Sequence, residues 1–266
     1  MSYRVGIVGT GPPTRTEERG GGFAIGRVHA AAWERVRGAS IAAACDINPS
    51  YLSAFCADYG IERGYEDLGA MLSEGNLDFI SICTWPTLHC EMAVQAAEAG
   101  VKAIYCEKPM CISLGEADRM LDACRANGAR MAVSHQRRFE PVYVQAKKIV
   151  DEGKLGPLTE MTARISIADA DLLSWGTHWI DQMGFFMDDR RPLSVLAQAD
   201  TSGQVMRYGH RVENDSVVQL VYDGGVTGII ECANGLPAPY FRVVGDAGLL
   251  TIKDLVEEIV GEIEVW

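Results

Sequence analysis

A chain of 266 residues is long enough for one large domain or two ordinary ones, and 48% hydrophobic with 23% charged residues is a globular composition. The net charge of −12 disfavours binding to nucleic acid, because an acidic surface repels phosphate backbones. No apolar stretch reaches the ~20 residues that a membrane-spanning helix needs, and the first residues run into a strand without a signal peptide. We therefore expect a cytoplasmic protein with no membrane partner.

The cysteines predict neither a disulfide framework nor a metal site. Eight are scattered along the chain, mostly inside apolar runs, and none forms a Cys/His cluster with zinc spacing. We expect reduced, buried thiols.

The first half of the chain alternates apolar runs with helical periodicity. The apolar runs predict strands at residues 4–9, 41–46, 79–84, 101–106 and 130–135. The periodic stretches predict helices at residues 26–37, 50–59, 88–99 and 114–127. Strands that alternate with helices are typical of βαβ units, so residues 1–135 are predicted to form a parallel sheet with helices on both faces.

The pattern changes after about residue 135. Helices are predicted at residues 142–152 and 176–187, with a long strand at 158–168 between them. Further runs follow at residues 193–199, 216–222, 226–232, 240–244 and 248–252, separated by turn residues. These runs favour antiparallel pairing, so residues 136–266 are predicted to form an α+β domain on an open, mainly antiparallel sheet.

A glycine-rich segment follows the first predicted strand. Gly9-Thr10-Gly11 ends that strand, and Ile25-Gly26 opens the next helix after an insert of residues 12–24. A dinucleotide site requires a tight turn, close backbone approach to the pyrophosphate and a helix N-terminus, and all three remain available if the insert loops outward. The insert, glycine-rich at residues 20–22, could fold over the pyrophosphate as a lid.

Asp46 ends the second predicted strand, twenty residues after the glycine that opens the helix. A carboxylate there can accept hydrogen bonds from both adenosine ribose hydroxyls and repel a 2′-phosphate, which favours NAD over NADP. NADP stays open, because Arg27, or Arg15 and Arg19 in the insert, could shift that preference. The alternative for Asp46 is a helix cap before Pro49.

The block Cys106-Glu107-Lys108-Pro109 ends an apolar run, where a parallel sheet delivers side chains into a ligand crevice. Proline fixes its own φ and restricts the residue before it, so Lys108 is predicted to be immobilised. The alternative is a solvated lysine at a strand end.

With these residues and others, the chain resembles the glucose–fructose oxidoreductase / inositol dehydrogenase / MocA family. The matching motifs follow the family's order: Gly9-Thr10-Gly11, Ile25-Gly26, His29-Ala30, Asp46, Cys83-Thr84, His89, Glu107-Lys108-Pro109, His135-Gln136-Arg137-Arg138-Phe139 and Gly176-Thr177-His178-Trp179-Ile180-Asp181. The resemblance implies an N-terminal Rossmann domain and a C-terminal domain whose sheet often mediates dimer or tetramer contacts. It also implies NAD(P)-dependent oxidation or reduction of a sugar, cyclitol or related polyol.

The resemblance implies roles for individual residues. The implied cofactor-binding residues are Gly9, Thr10, Gly11, Ile25, Gly26, Asp46, Thr84, His89, Glu107 and Lys108. Lys108 would lie near the nicotinamide and hydrogen-bond the reacting hydroxyl, with a cis peptide bond before Pro109. His178 matches the family's proton-transferring histidine, a residue type that titrates near neutral pH. The alternative for His178 is a capping or core histidine.

Four residues are candidates for contact with the substrate: Arg137, Trp175, His178 and Asp181. For Arg137 the alternative is a solvated helix start. Trp175 or Trp179 could stack on a sugar face, although tryptophans at helical spacing are more often core residues.

The chain departs from the family pattern at three points. The family's aspartate four residues before the histidine is replaced by Ser174, and Asp181, Asp169 or Asp171 could supply the missing carboxylate. Trp85-Pro86-Thr87 stands where Pro-Asn is usual. The chain is also shorter than typical members, which could alter oligomerisation.

These observations predict an NAD(P)-dependent dehydrogenase or reductase acting on a sugar or polyol, assembled as a homodimer or homotetramer. One alternative is an enzyme of the same fold that recycles bound NAD during glycoside cleavage or elimination. A second alternative is a non-catalytic dinucleotide-binding regulator.

Overall fold

The computed structural model describes residues 2–13, 24–166, 171–203, 205–233, 236, 238–253 and 262–266. The chain forms two compact units, Met1–Ser134 and His135–Trp266. Each unit has its own apolar core of buried side chains. Among the described residues, no helix is both long and apolar enough to cross a membrane.

A parallel sheet forms the centre of the first unit. Its described strands are β1 (Tyr3–Val8), β2 (Ala39–Cys45), β3 (Gly64–Tyr65), β4 (Phe79–Ile82), β5 (Ala103–Cys106) and β6 (Arg130–Val133). They lie in the order β3-β2-β1-β4-β5-β6, and every neighbouring pair is parallel. The strand order reverses between β1 and β4, as in a doubly wound dinucleotide-binding sheet. The predicted Rossmann fold is confirmed.

Helices cover both faces of this sheet. They are α1 (Ile25–Trp33), α2 (Pro49–Tyr59), α3 (Leu68–Gly75), α4 (Pro86–Glu98) and α5 (Leu114–Asn127). Successive residues of β1 point to opposite faces, so Ile7 packs in one apolar cluster and Val8 in another. Asn48 and Ser113 accept hydrogen bonds from the first backbone N–H groups of α2 and α5, which defines where these helices begin.

The second unit is built on a mixed sheet. Its described strands are β7 (Leu158–Ile165), β8 (Ser194–Asp200), β9 (Val205–Arg207), β10 (His210–Val212), β11 (Asp215–Val221), β12 (Thr227–Cys232), β13 (Tyr240–Gly245), β14 (Gly248–Lys253) and β15 (Glu262–Val265). The main sheet has the order β15-β14-β13-β7-β12-β11-β8, while β9 and β10 pair separately. β7 and β12 are parallel and the other described pairs are antiparallel, which confirms the predicted sheet type.

Two helices pack beside this sheet, α6 (Pro141–Asp151) and α7 (Thr177–Phe186). A 3-10 turn (Gln136–Phe139) precedes α6, and a π-helical turn (Leu172–Gly176) leads directly into α7. Trp179 stacks on Phe241 with ring centroids 5.9 Å apart, and Phe186 stacks on the same ring at 5.4 Å. These aromatic contacts attach α7 to the sheet.

The structure differs from the predicted elements mainly where elements are short. β3 has two residues, α3 has eight, and β9, β10 and β15 have three or four, all too few for a clear periodic pattern. The strand predicted at residues 158–168 ends at Ile165, and residues 167 and 168 lie outside the described residues. The helix predicted at 26–37 ends at Trp33, before a turn at Gly38.

All eight cysteines lie in described parts of the chain and all are free thiols. Burial raises the pKa of Cys45 and of Cys232 to about 12. These side chains therefore stay protonated and act as packing residues, as expected.

Candidate active site

The predicted site residues of the first unit follow the carboxyl ends of adjacent strands. Backbone hydrogen bonds continue across this edge: Gly9 N donates to Cys45 O (2.9 Å), Cys83 N to Val8 O (2.8 Å) and Glu107 N to Ile82 O (2.9 Å). The structure thus brings the segments after β1, β2, β4 and β5 to one edge of the sheet. It is the edge at which open α/β sheets bind ligands, beside the reversal of strand order.

The turn after β1 has no space for a side chain at its first glycine. Gly9 has φ +84°, and a Cβ there would lie 2.6 Å from Cys83 O. A Cβ on Gly26 would lie 2.2 Å from Gly9 O, so the first turn of α1 packs directly against the glycine turn. Gly11 has φ +68°. Ile25, the first residue of α1, follows Ala24, which makes no side-chain capping bond. Such a turn and helix start can hold a pyrophosphate through backbone N–H groups.

Asp46 is joined to this glycine turn. Its Oδ2 accepts hydrogen bonds from Thr10 N (2.8 Å), Thr10 Oγ1 (2.8 Å) and Gly11 N (3.2 Å), and its Oδ1 accepts one from Asn48 N (2.9 Å). The carboxylate is half-buried. It therefore holds the turn in shape, a contact that the sequence interpretation did not include. The predicted hydrogen bonds from the ribose hydroxyls would go to the lone pairs of the Asp46 carboxylate that these contacts do not use.

Arg15, Arg19 and most of the insert, residues 14–23, lie outside the described residues, so the predicted lid stays a prediction. Arg27 lies on α1 and forms an ion pair with Asp58, with 2.5 Å between Nη1 and Oδ2.

Glu107 is buried and pairs with a histidine of α1. His29 Nε2 lies 2.9 Å from Glu107 Oε1, and Lys108 N donates to Glu107 Oε2 (3.0 Å). Burial by itself would raise the pKa of the Glu107 carboxyl, but hydrogen bonds from His29 and Ser134 and the adjacent positive charges lower it overall. Only 7% of Glu107 is exposed. Glu107 thus ties α1 to the end of β5 and orients the backbone of Lys108.

Lys108 is half-buried, and its peptide bond to Pro109 is cis, as the resemblance implies. The fully buried His89 supports this turn. Its Nδ1 lies 2.9 Å from Pro109 O and its Nε2 lies 3.0 Å from Thr84 O. Burial lowers the pKa of His89 overall, although the two carbonyl oxygens, which can only accept hydrogen bonds, act in the opposite direction. Because no part of His89 is exposed, it would act on a cofactor by holding the Thr84 and Pro109 segments together.

In the second unit, His178 lies one residue after the start of α7. It is buried, with 3% exposed. The His135 ring packs edge-on against it at a centroid distance of 6.0 Å, and the Trp175 ring lies 6.3 Å away. Trp175 is half-buried, whereas Trp179 is 2% exposed and belongs to the core. Of the two tryptophans, Trp175 is therefore the one that keeps ring surface for a sugar.

The carboxylates considered for His178 have different surroundings. Asp181 accepts a hydrogen bond from Arg138 Nε (2.6 Å), and Arg138 also bonds Asp189 (2.7 Å). These bonds raise the pKa of the Arg138 guanidinium. Asp169 lies outside the described residues. Asp171 is fully buried and accepts hydrogen bonds from the backbone and hydroxyl of Ser174. Asp181 is thus paired with Arg138.

Arg137, predicted to contact substrate, is buried beside a core tryptophan of the second unit. Its guanidinium lies 4.6 Å from the centre of the Trp179 ring, and 9% of the residue is exposed. A contact of this kind anchors the 3-10 turn to α7, which favours a supporting role.

Sequence reasoning missed three side chains. His29 appeared only as part of a motif, and its pairing with Glu107 joins positions 78 residues apart. Arg207, whose Nε lies 3.9 Å from Asp171 Oδ2, comes from the short strand β9. Gln182, one turn after His178, is fully buried, and its amide atoms bond nothing within the described part of the chain. The sequence did contain a signal for Gln182, because this glutamine stands four residues after His178, the candidate catalytic residue.

Comparison with known proteins gives consistent matches. D-apiose dehydrogenase of Paraburkholderia graminis is 32% identical over 241 residues, which are 83% of this chain and 62% of that protein. Inositol 2-dehydrogenase of Paracoccus denitrificans is 34% identical over 161 residues, 59% of this chain and 44% of that protein. The chain thus matches less than two thirds of the length of either relative.

A solved structure shares the fold. Aldose–aldose oxidoreductase from Caulobacter crescentus, complexed with glycerol, superimposes with a TM-score of 0.83 at 21% identity, covering 100% of this chain and 81% of that one. At this level of identity the likeness shows the fold alone.

Two family models cover most of the chain in the expected order. Residues 19–135 match GFO_IDH_MocA, described as "Oxidoreductase family, NAD-binding Rossmann fold", and residues 143–251 match the GFO/IDH/MocA C-terminal domain. The resemblance drawn from the sequence motifs is confirmed. The chain belongs to the Gfo/Idh/MocA oxidoreductase family, whose N-terminal domain is an NAD-binding Rossmann fold.

Proposed function

We propose that this chain is an NAD-dependent oxidoreductase that transfers a hydride between nicotinamide and a secondary alcohol or carbonyl carbon of a sugar, cyclitol or related polyol. The observation that carries the proposal is the sheet edge, where the glycine turn, Asp46 and the Glu107-oriented Lys108 follow adjacent parallel strands. Support for the substrate class comes from the relatives named D-apiose dehydrogenase and inositol 2-dehydrogenase.

The residues present fit a dinucleotide. The glycine turn leaves space where a Cβ would clash, and α1 offers N-terminal N–H groups without a side-chain cap. The acid at Asp46 favours NAD, because its charge would repel the 2′-phosphate of NADP. When bound, the nicotinamide supplies the hydride acceptor or donor.

The chain's own side chains would perform the proton chemistry. In the oxidative direction the hydrogen on the carbinol carbon leaves as hydride with both electrons of the C–H bond. The hydroxyl proton passes to the imidazole of His178, which gives a carbonyl and an imidazolium. The Lys108 ammonium would stabilise the negative charge that develops on the oxygen. In this proposal residues 1–135 bind the cofactor and residues 136–266 bind the substrate.

We further propose that the protein works as a homodimer or homotetramer in the cytoplasm. Every residue of β8 is exposed, including Val195 (61%) and Leu196 (71%), so this edge strand offers apolar surface to a second copy. Light scattering of the purified protein tests this assembly.

The substitution Lys108→Ala tests the mechanism. We expect turnover to fall at least about 100-fold, because a group that stabilises developing charge is lost, while the Kd for NAD changes by less than about 3-fold. NADH formation is followed over a panel of polyols that begins with D-apiose and myo-inositol, and NAD binding is measured by calorimetry. Lys102→Ala is the control, since Lys102 lies just before β5 and pairs with Asp78 at the surface.

Three other outcomes would count against the proposal. Wild-type turnover in Lys108→Ala would remove Lys108 from the mechanism. NAD binding without turnover of any panel member would favour a non-catalytic regulator. Release of a leaving group without accumulating NADH would favour the enzyme that recycles bound NAD.

A further inference from the structure

The carboxylate missing from position 174 is present one turn earlier. Ser174 stands four residues before His178, and its hydroxyl is hydrogen-bonded to Asp171 Oδ2. Asp171 Oδ1 also accepts the backbone N–H of Ser174 (2.7 Å). Asp171 is 0% exposed and Ser174 is 2% exposed. A carboxylate buried this completely needs a reason to stay charged, because burial of an isolated ion is costly.

The surroundings of Asp171 include one cation at close range. Arg207 Nε lies 3.9 Å from Asp171 Oδ2, too far for a hydrogen bond but close enough to compensate the charge. Glu213 Oε1 lies nearby and accepts the backbone N–H of Leu172 (2.5 Å). Other titratable groups lie near these residues: Tyr208 and Cys232 are close enough to Asp171 to sense its charge, Asp215 acts on Cys232, and the His135 ring packs against His178.

The hydrogen-bond chemistry of Ser174 has a defined direction. A carboxylate can only accept, so the single hydroxyl proton of Ser174 points to Asp171. The lone pairs of the same oxygen then remain as acceptors. Residues four apart on a helix share a face, and the π-helical turn runs without interruption into α7, which carries His178. His178 Nδ1 is buried and makes no hydrogen bond to the residues that the structure describes. An imidazole N–H at that nitrogen would therefore have Ser174 Oγ, one turn away on the same face, as an acceptor while Ser174 donates to Asp171.

We propose that Asp171 provides, through Ser174, the negative charge that orients His178 and stabilises its protonated form. Asp171 and Ser174 are positioning residues, and no proton leaves either of them in this arrangement. The inference rests on the proposed function of His178 as the proton acceptor. It assigns to Asp171 the task that the family gives to an aspartate at position 174.

The titration of His178 in the cofactor-free chain tests this inference without a substrate. Imidazole nitrogen shifts are followed by NMR as pH changes, and the His178 signal is assigned from its loss in His178→Gln. We expect Asp171→Asn to lower the His178 midpoint by about 0.5 to 1 pH unit, because a nearby anion favours the imidazolium. Ser174→Ala should produce a smaller drop in the same direction, since it breaks the hydrogen-bonded connection but leaves the Asp171 charge in place.

Two further variants separate this role from simple helix capping. Asp171→Asn/Ser174→Asp moves the carboxylate to position 174 with no change in net charge, and it should restore the wild-type midpoint. Glu213→Gln removes a neighbouring carboxylate that bonds Leu172, and it should leave the midpoint within about 0.2 unit. Circular dichroism and NAD calorimetry confirm that each variant is folded.

The kinetic outcome distinguishes this inference from the function itself. With a substrate in hand, Asp171→Asn should lower kcat about 10-fold and move the acidic inflection of kcat/KM to lower pH, with recovery in the double variant. An unchanged His178 midpoint in both Asp171→Asn and Ser174→Ala would overturn the inference, whatever the enzyme does. Full activity in His178→Gln would instead overturn the proposed role of His178.

Discussion

The carboxyl edge of the parallel sheet and the start of α7 carry the two parts of the proposed machinery, and they are built differently. At the sheet edge, backbone geometry determines positions: Gly26 touches Gly9 directly, and Asp46 is held by backbone N–H groups. At α7, the positions depend on side chains that meet from distant segments, such as Arg207 beside Asp171. The first arrangement suits a cofactor shared by a whole family, and the second can change with the substrate.

The largest effect on cofactor binding is expected where the backbone of α1 meets the backbone of the glycine turn. In Gly26→Ala the new Cβ would lie 2.2 Å from Gly9 O, so α1 must move away from the glycine turn. We expect NAD affinity to fall at least about 100-fold, or about 2.7 kcal/mol, in calorimetric titrations. Gly115→Ala in α5 is the control, because no atom lies within 4 Å of its Cβ position. It should stabilise the protein by about 0.5 kcal/mol and leave NAD binding unchanged.

The second prediction concerns the buried contact between Glu107 and His29. Glu107→Gln removes a buried charge from its hydrogen-bonded partners and should lower the free energy of unfolding by about 3 kcal/mol at pH 7. Glu91→Gln is the matched control, since Glu91 pairs with Arg119 at the surface and should cost less than about 0.5 kcal/mol. Urea unfolding measures both. Equal costs would mean that the buried contact does not stabilise the edge.

The same substitution should change the acid limb of stability. Because folding lowers the pKa of the Glu107 carboxyl from its usual 4.5, the carboxylate stabilises the folded state above that pH. This contribution is lost as pH falls through the folded value. The wild-type stability should therefore decline below about pH 4.5 more steeply than that of Glu107→Gln. Parallel acid limbs would contradict the lowered pKa.

The third prediction separates two tasks of Asp46. Asp46→Ser should weaken NAD about 10-fold and NADP less, because the charge that favours an unphosphorylated ribose is lost. Thr10→Val removes one hydrogen bond to Asp46 but keeps its charge, so it should weaken both cofactors about equally. Fluorescence titration with each dinucleotide provides the ratio. An unchanged ratio in Asp46→Ser would leave Asp46 with its structural task alone.

The sequence predicted the sheet edge better than the α7 site for a physical reason. The glycine turn, the strand ends and the Lys108-Pro109 peptide depend on local backbone conformation, so a short stretch of sequence is enough to predict them. The pairing of His29 with Glu107 and the approach of Arg207 to Asp171 depend on contacts between distant residues, which no local pattern contains.

Trp175 and Trp179 show the same limit within one helix turn. Their residue type and spacing were known, but which of them packs on Phe241 is decided by the sheet beneath α7. The π-helical turn before α7 is likewise invisible to a pattern that assumes 3.6 residues per turn.

The smallest effect is expected for Asp181, the acid that lies closest in sequence to His178 among the candidates considered at α7. Its carboxylate is 15% exposed and bonds Arg138, whereas Asp189, the second partner of Arg138, is 68% exposed. Asp181→Asn should lower the free energy of unfolding by about 1 kcal/mol and Asp189→Asn by less than about 0.5 kcal/mol, measured by urea unfolding.

Neither substitution should move the His178 titration midpoint, since the Asp181 carboxylate is held by a direct hydrogen bond from Arg138. Arg207, by contrast, lies too far from Asp171 to form one. A large loss of turnover in Asp181→Asn with unchanged stability would reverse this assignment and return Asp181 to the substrate site. A shifted midpoint would make Asp181, rather than Asp171, the replacement for the family's aspartate. The titration midpoint in Asp181→Asn therefore decides which acid serves the histidine.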